Sequence, residues 1–264
     1  MKTSLLKSLA ALALGAVVAA QPALAQDKPL KVGVTAGPHA QIMEVVKAEA
    51  AKQGLQVQVI EFTDYVQPNV ALAAGDLDLN SYQHQPYLDN ANADRGYKLV
   101  SVGKTVIYPI GIYSKKIKAL DELKEGARIA IPNDPTNGGR GLLVLQNEGL
   151  IKLRQDVGLK ATPIDVVENP RKLRFIELDA AQLPRSLDDV DAAAVNTNFA
   201  LEAGLNPQDA LVREAADSPY ANVLVVREQD KGRADIAKLV QIYQTKTVRD
   251  FIVQKFGGSV IPAF

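Results

Sequence analysis

Hydrophobic and polar positions recur along this chain with two periods, and the switches between them outline its elements. Lys31-Val-Gly-Val-Thr35 is a short strand closed by Gly37-Pro38, and Leu55-Gln-Val-Gln-Val-Ile-Glu61 alternates as a half-buried strand does. Between them Ile42, Val45, Val46 and Glu49 carry a helix that stops at Gly54. Prolines that fit a first helical turn open two further helices, from Pro68 to Gly75 and from Pro86 to about Gly96, with Leu77-Asp-Leu79 as a brief strand between them. Tyr97–Val102 and Val106–Tyr113 are apolar and β-rich. The second half repeats the pattern, with strands at Arg128–Ile131, Ile164–Val167, Phe175–Leu178, Ala192–Val195 and Asn222–Val226, and a mostly helical run from Ile236 to Phe256. Strands alternating with helices predict an α/β fold with largely parallel sheets. Tyr108-Pro109 interrupts one β-rich run and Ser218-Pro219-Tyr220 precedes the strand at 222. Two crossings there would let the C-terminal helices complete an N-terminal domain around an inserted second one.

The first 25 residues change the compartment. Lys2 and Lys7 precede a small apolar segment, and Ala23-Leu24-Ala25 supplies a cleavage site, so residues 1–25 read as a secretory signal peptide. Removing its two lysines from 30 basic and 30 acidic side chains leaves a formal charge of −2. That balance gives no electrostatic case for nucleic acid or an anionic membrane surface. The chain contains no cysteine, which excludes disulfides, thiolate metal sites and a lipidated cysteine at the cleavage point.

Chemistry concentrates in two stretches. In Ile131-Pro-Asn-Asp-Pro-Thr-Asn-Gly-Gly-Arg-Gly-Leu-Leu-Val-Leu145 a strand end runs through a loop into an amphipathic helix. Gly138, Gly139 and Gly141 crowd its first turn, each costing a helix about 1 kcal/mol relative to Ala. Close approach of a ligand to the backbone would account for them, and an anion there would meet free N–H groups and the Arg140 fork. A flexible turn with a solvated Arg140 is the competing reading, and even as a carboxylate ligand Arg140, read as a surface residue at a helix start, is expected to contribute little to the fold. The second stretch holds Phe62 and Tyr65, then Tyr82, His84 and Tyr87. It is rich in aromatics for a chain that has 5% of them, and unusually polar for a core. Asn80, Tyr82 and His84 have strand-like spacing and lie where a strand end would face a crevice.

Signals for an enzyme are poor. No Walker loop, dinucleotide fingerprint or Gly-x-Ser-x-Gly elbow occurs, and no nucleophile–base pair can be named. His39 and His84 are far apart in sequence and lack cysteine partners, so neither a metal nor another cofactor is expected.

Together these residues resemble the NlpA/MetQ-type substrate-binding proteins of bacterial methionine ABC importers. The resemblance spans the mature chain and is carried by Phe62-Thr-Asp-Tyr-Val-Gln-Pro-Asn69, Gln83-His-Gln-Pro-Tyr-Leu88, Tyr108-Pro-Ile110, the 131–137 loop with Gly139-Arg140, Gln182-Leu-Pro-Arg-Ser-Leu-Asp-Asp189, Asn196-Thr197 and Ser218-Pro-Tyr-Ala-Asn222. It implies a two-lobed periplasmic-binding-protein-like α/β fold with a ligand cleft, lobe I formed by 26–108 plus 225–264 and lobe II by 109–224. It implies methionine as ligand, with another amino acid or a methionine-containing dipeptide as the alternative, and no enzymatic activity. The implied partners are a membrane permease and its cytoplasmic ATPase. By the same resemblance Arg140 takes the ligand carboxylate with Asn137 beside it, Asn196 and Asn222 lie near the α-amino group, and Phe62, Tyr65, Tyr82, His84 and Tyr87 line the side-chain pocket. Tyr82 stands where the family's pattern has phenylalanine. The family commonly carries a lipobox cysteine, and its absence here predicts a periplasmic form that is soluble after cleavage.

Overall fold

The computed structural model describes residues 28–215 and 219–264, so the signal peptide expected at 1–25 lies outside the described residues, as does Ser218 of the second crossing. In chain order the first elements are β1 (Leu30–Thr35), α1 (Pro38–Lys52), β2 (Val57–Phe62), α2 (Gln67–Ala74), β3 (Leu79–His84), α3 (Gln85–Arg95) and β4 (Leu99–Lys104). The apolar run at 106–113 is broken by Pro109 into β5 (Val106–Ile107) and β6 (Gly111–Tyr113). There follow β7 (Arg128–Pro132), α4 (Pro135–Asn147), β8 (Lys152–Leu153), β9 (Val166–Glu168), β10 (Arg174–Leu178), α5 (Leu183–Ser186), β11 (Ala192–Val195), α6 (Thr197–Glu202) and β12 (Val212–Arg213). The chain ends with β13 (Asn222–Arg227), α7 (Ala234–Tyr243), α8 (Lys246–Phe256) and β14 (Ile261–Pro262). The helical run expected from Ile236 to Phe256 is thus two helices, because Thr245 adopts an extended conformation between them.

Two five-stranded sheets organise two lobes, in the orders β2-β1-β3-β13-β4 and β10-β7-β11-β6-β12. Both are mixed rather than largely parallel. β13 runs antiparallel to β3 and β4, and β6 antiparallel to β11 and β12. Each of these two is the first strand its sheet receives after a crossing. In a parallel sheet the strand C-termini point at the cleft. A strand entering from the hinge starts at that edge and has to run away from it. β13 pairs in the first sheet from Asn222 onward, so it runs across the boundary expected after residue 224.

Each lobe has its own core. In the first, Val32, Val34, Ile42 and Leu79 pack with Ile236, Leu239, Ile242 and Ile252 from the C-terminal helices. In the second, Ile112, Ile129, Ile131, Leu142 and Leu145 pack with Ala192 and Ala194.

Candidate functional site

The site is built where strand ends of both sheets meet. On the first sheet, the pairing of β13 with β3 slips between Val223, opposite Gln83, and Leu224, opposite Ser81. Tyr82 is the extra residue of this bulge, and a bulge re-aims side chains that strict alternation would send to opposite faces. Tyr82, Gln83 and His84 therefore line one cavity despite being consecutive. His84 also caps α3: its Nδ1 accepts from the Tyr87 N–H at 3.1 Å. The proton must then sit on Nε2, which reaches across to Asn137 Oδ1 of the second lobe at 3.1 Å. Burial, and secondarily the positive charge of Arg140, pushes the His84 imidazole down to about 3, so it is a neutral donor. The other histidine, distant in sequence, arrives at the same cavity. His39 follows the end of β1, packs its ring tilted against that of Tyr108 with centres 4.5 Å apart, and is pushed down to about 3 by burial.

On the second sheet, β7 leads into α4 through Asp134, whose Oδ1 accepts from the Asn137 N–H at 2.9 Å as an N-cap. Burial raises the Asp134 carboxyl despite these bonds. The glycines that suggested close ligand approach have a different cause. A Cβ on Gly138 would lie 2.7 Å from the Pro132 carbonyl, and one on Gly139 would lie 2.6 Å from that of Leu159. The helix start is pressed onto the protein's own backbone.

Arg140 is neither solvated nor loosely held, being 2% exposed. Nε donates to Glu214 Oε1 at 2.9 Å, Nη2 donates to Glu214 Oε2 and to the Tyr108 carbonyl, and the guanidinium carbon lies 4.3 Å from the Tyr220 ring centre. Asn137 is bonded to residues of both lobes. Its Nδ2 donates to the Asp134 carboxylate, and its Oδ1 receives His84 and Asn196 Nδ2, so it ties the site together across both lobes.

Of the residues singled out from the sequence, Tyr65, Tyr82, His84, Tyr87, Asn137, Arg140, Asn196 and Asn222 line one cavity. Phe62 does not. It ends β2, the outermost strand of its sheet, and packs with Leu72, Leu77 and Leu88 in the first lobe. His39, Gln83, Tyr108 and Asn198 also line the cavity. His39 was findable as the residue following a strand end and a Gly-Pro turn, and Tyr108 as part of a crossing. Nothing in the sequence marks Gln83 or Asn198 beyond their neighbours.

Polar atoms without partners show what the cavity lacks. Among the described residues that line it, Asn196 Oδ1, Asn198 Nδ2 and the hydroxyls of Tyr82 and Tyr108 are buried and unbonded. Leaving a buried polar group unpaired costs about 1–3 kcal/mol, so these atoms are the ones able to bond a bound molecule. Tyr65 closes the lobes by donating to Asn198 Oδ1 at 2.5 Å while its ring lies 4.8 Å from that of Phe199. Among the described residues no group of three side chains could hold a metal ion.

Two α/β lobes that meet at a shared cavity define a two-lobed substrate-binding protein. The chain belongs to the NlpA lipoprotein family, which it matches over residues 30–264. It is 52% identical to the D-methionine-binding lipoprotein MetQ of Salmonella typhimurium, over 88% of this chain and 87% of that protein. Outer membrane lipoprotein 3 of Mannheimia haemolytica is 51% identical over 88% of this chain and 89% of that one. A nutrient-binding protein from Burkholderia cenocepacia, solved bound to methionine, superposes with a TM-score of 0.87 at 54% identity, covering 89% of this chain and all of the other. These relatives correct one expectation. The missing cysteine predicts a soluble form, but the family and its named members are lipoproteins, which are membrane-anchored.

Proposed function

We propose that the cavity binds a single free amino acid, methionine, and that the protein presents it to the permease of an ABC importer driven by a cytoplasmic ATPase. The observation that carries this reading is the division of the cavity into two ends. Arg140 and the unbonded Asn196 Oδ1 form a polar end, a donor beside an acceptor, which suits a carboxylate and an ammonium on one carbon. Tyr65, Tyr82 and Tyr87 form an aromatic end, with ring centres 6.0 to 6.1 Å apart. A thioether gains about 0.3–1.5 kcal/mol from each aromatic edge it meets. The methionine held by the Burkholderia relative supports the same reading. We further propose lobe I as 26–108 with the C-terminal segment and lobe II as the chain between, the second crossing placed ahead of Asn222. Mass spectrometry of ligand released from denatured protein tests the assignment. Methionine is expected at about one equivalent, and its absence together with no calorimetric binding of added methionine rejects it.

A further inference from the structure

Arg140 is the one charged side chain among the described residues that line the cavity, yet it does not present a bare charge there. The carboxylate of Glu214 takes its Nε and Nη2 edge, and Nη2 is further used by the Tyr108 carbonyl. One face of the guanidinium is covered by Tyr220. Among the described residues only Nη1 has no protein acceptor. Glu214 is itself fixed: its N–H donates to the Ile110 carbonyl at 2.9 Å, and its side chain is 11% exposed. The other charged group nearby, Asp134, is engaged in capping α4, and both histidines are neutral.

A lone buried guanidinium would attract any carboxylate, whatever else the ligand carried. An arginine already paired with glutamate offers hydrogen bonds but no net countercharge. A ligand that brings only a carboxylate would leave an uncompensated anion in a desolvated cavity, which is costly. A zwitterion brings its own compensation, and its ammonium would find Asn196 Oδ1 waiting as an acceptor.

We propose that Glu214 is a specificity-determining residue: by neutralising Arg140 it makes the cavity select zwitterionic amino acids over carboxylates that lack a free ammonium. This rests on the reading of the cavity as an amino-acid site. Calorimetric titration of wild type and Glu214→Gln with methionine and with 4-(methylthio)butanoate, its analogue without the amino group, tests it. The glutamine keeps the shape and an acceptor but removes the charge. The ratio of the analogue's Kd to methionine's is expected to fall at least about tenfold in this variant. Glu214→Asp, which keeps the charge, is expected to retain the wild-type ratio. A smaller change in Glu214→Gln, even with both ligands weakened, overturns the proposal and leaves Glu214 as a mere support for the arginine. If that variant does not fold, wild type alone decides through a comparison of the anionic analogue with cationic methioninamide. A preference for the anion below about tenfold is expected, and a larger one overturns the proposal. Wild type that fails to bind methionine would instead remove the amino-acid reading itself, and the proposal with it.

Discussion

Arg140 shows how a single side chain can join binding to folding. As a solvated residue at a helix start it would be dispensable to the fold, but it is buried against Glu214, the Tyr108 carbonyl and Tyr220. Arg140→Ala strands a largely buried carboxylate, and breaking such a pair costs about 3–5 kcal/mol. Urea unfolding of the ligand-free variant is expected to show a loss of that order, alongside a loss of methionine binding. Wild-type stability in the variant would mean that Glu214 relaxes into solvent. The two histidines give a second residue-level test. Both are held neutral with values near 3, against 6.5 when unperturbed. The unfolded chain therefore binds more protons below pH 6.5, and stability falls as pH drops from there toward 3, by up to about 1.4 kcal/mol per pH unit for each histidine. Unfolding free energies compared between about pH 7 and pH 5 are expected to show this slope. His84→Gln is expected to remove about half of it, and an unchanged slope would show that His84 is not buried in neutral form.

At the scale of elements, the start of α4 carries an argument that propensity alone gets backwards. Gly139→Ala adds a better helix former, a gain of about 1 kcal/mol on an isolated helix. The new Cβ would sit 2.6 Å from the Leu159 carbonyl and 2.8 Å from the Ala161 nitrogen, both backbone atoms that cannot rotate aside. A net loss of about 1–3 kcal/mol is expected in chemical denaturation. Gly232→Ala, with nothing within 4 Å of its new carbon, is expected to stay within about 0.5 kcal/mol of wild type. The sequence announces that these glycines need a reason but not which reason, because the backbone that meets Gly139 belongs to Leu159 and Ala161, outside the helix and its loop. Similar limits apply elsewhere. The strands at 31–35, 55–61 and 192–195 were legible from periodicity or apolar runs, since burial on one or both faces writes itself into residue type. The bulge at Tyr82 was not, because it is a property of pairing with a strand 140 residues later in the chain. Glu214 escaped notice for the same reason: its partner is 74 residues distant and its own neighbours are unremarkable.

Across the whole molecule, the two crossings give the lobes unequal standing in the chain. Every strand of the second sheet comes from one continuous stretch, from Gly111 to Arg213. The first sheet has β13 between β3 and β4, and its core includes Ile236, Leu239, Ile242 and Ile252. Time enters here, because a chain threaded outward from its N-terminus delivers those residues last. Until they arrive, β3 and β4 have open edges, and the apolar side chains beneath them lack half their cover. Early closure falls to the contiguous lobe, whose contacts span less sequence, whereas joining the ends of the first lobe means closing a loop of over a hundred residues. Pulse-labelled hydrogen exchange during refolding is expected to protect the amides of β7 and β11 before those of β3 and β13, and the reverse order would show that the termini meet first. Holding the N-terminal half unpaired has a hazard of its own: an unfilled strand edge is open to another copy of the same chain. The late-arriving β13 closes that edge and, through Asn222 and the bulge it imposes on Tyr82, completes the cavity in the same movement. A chain cut short before residue 222 would thus lose its cover and its binding cavity together, and no partly built binder would be left.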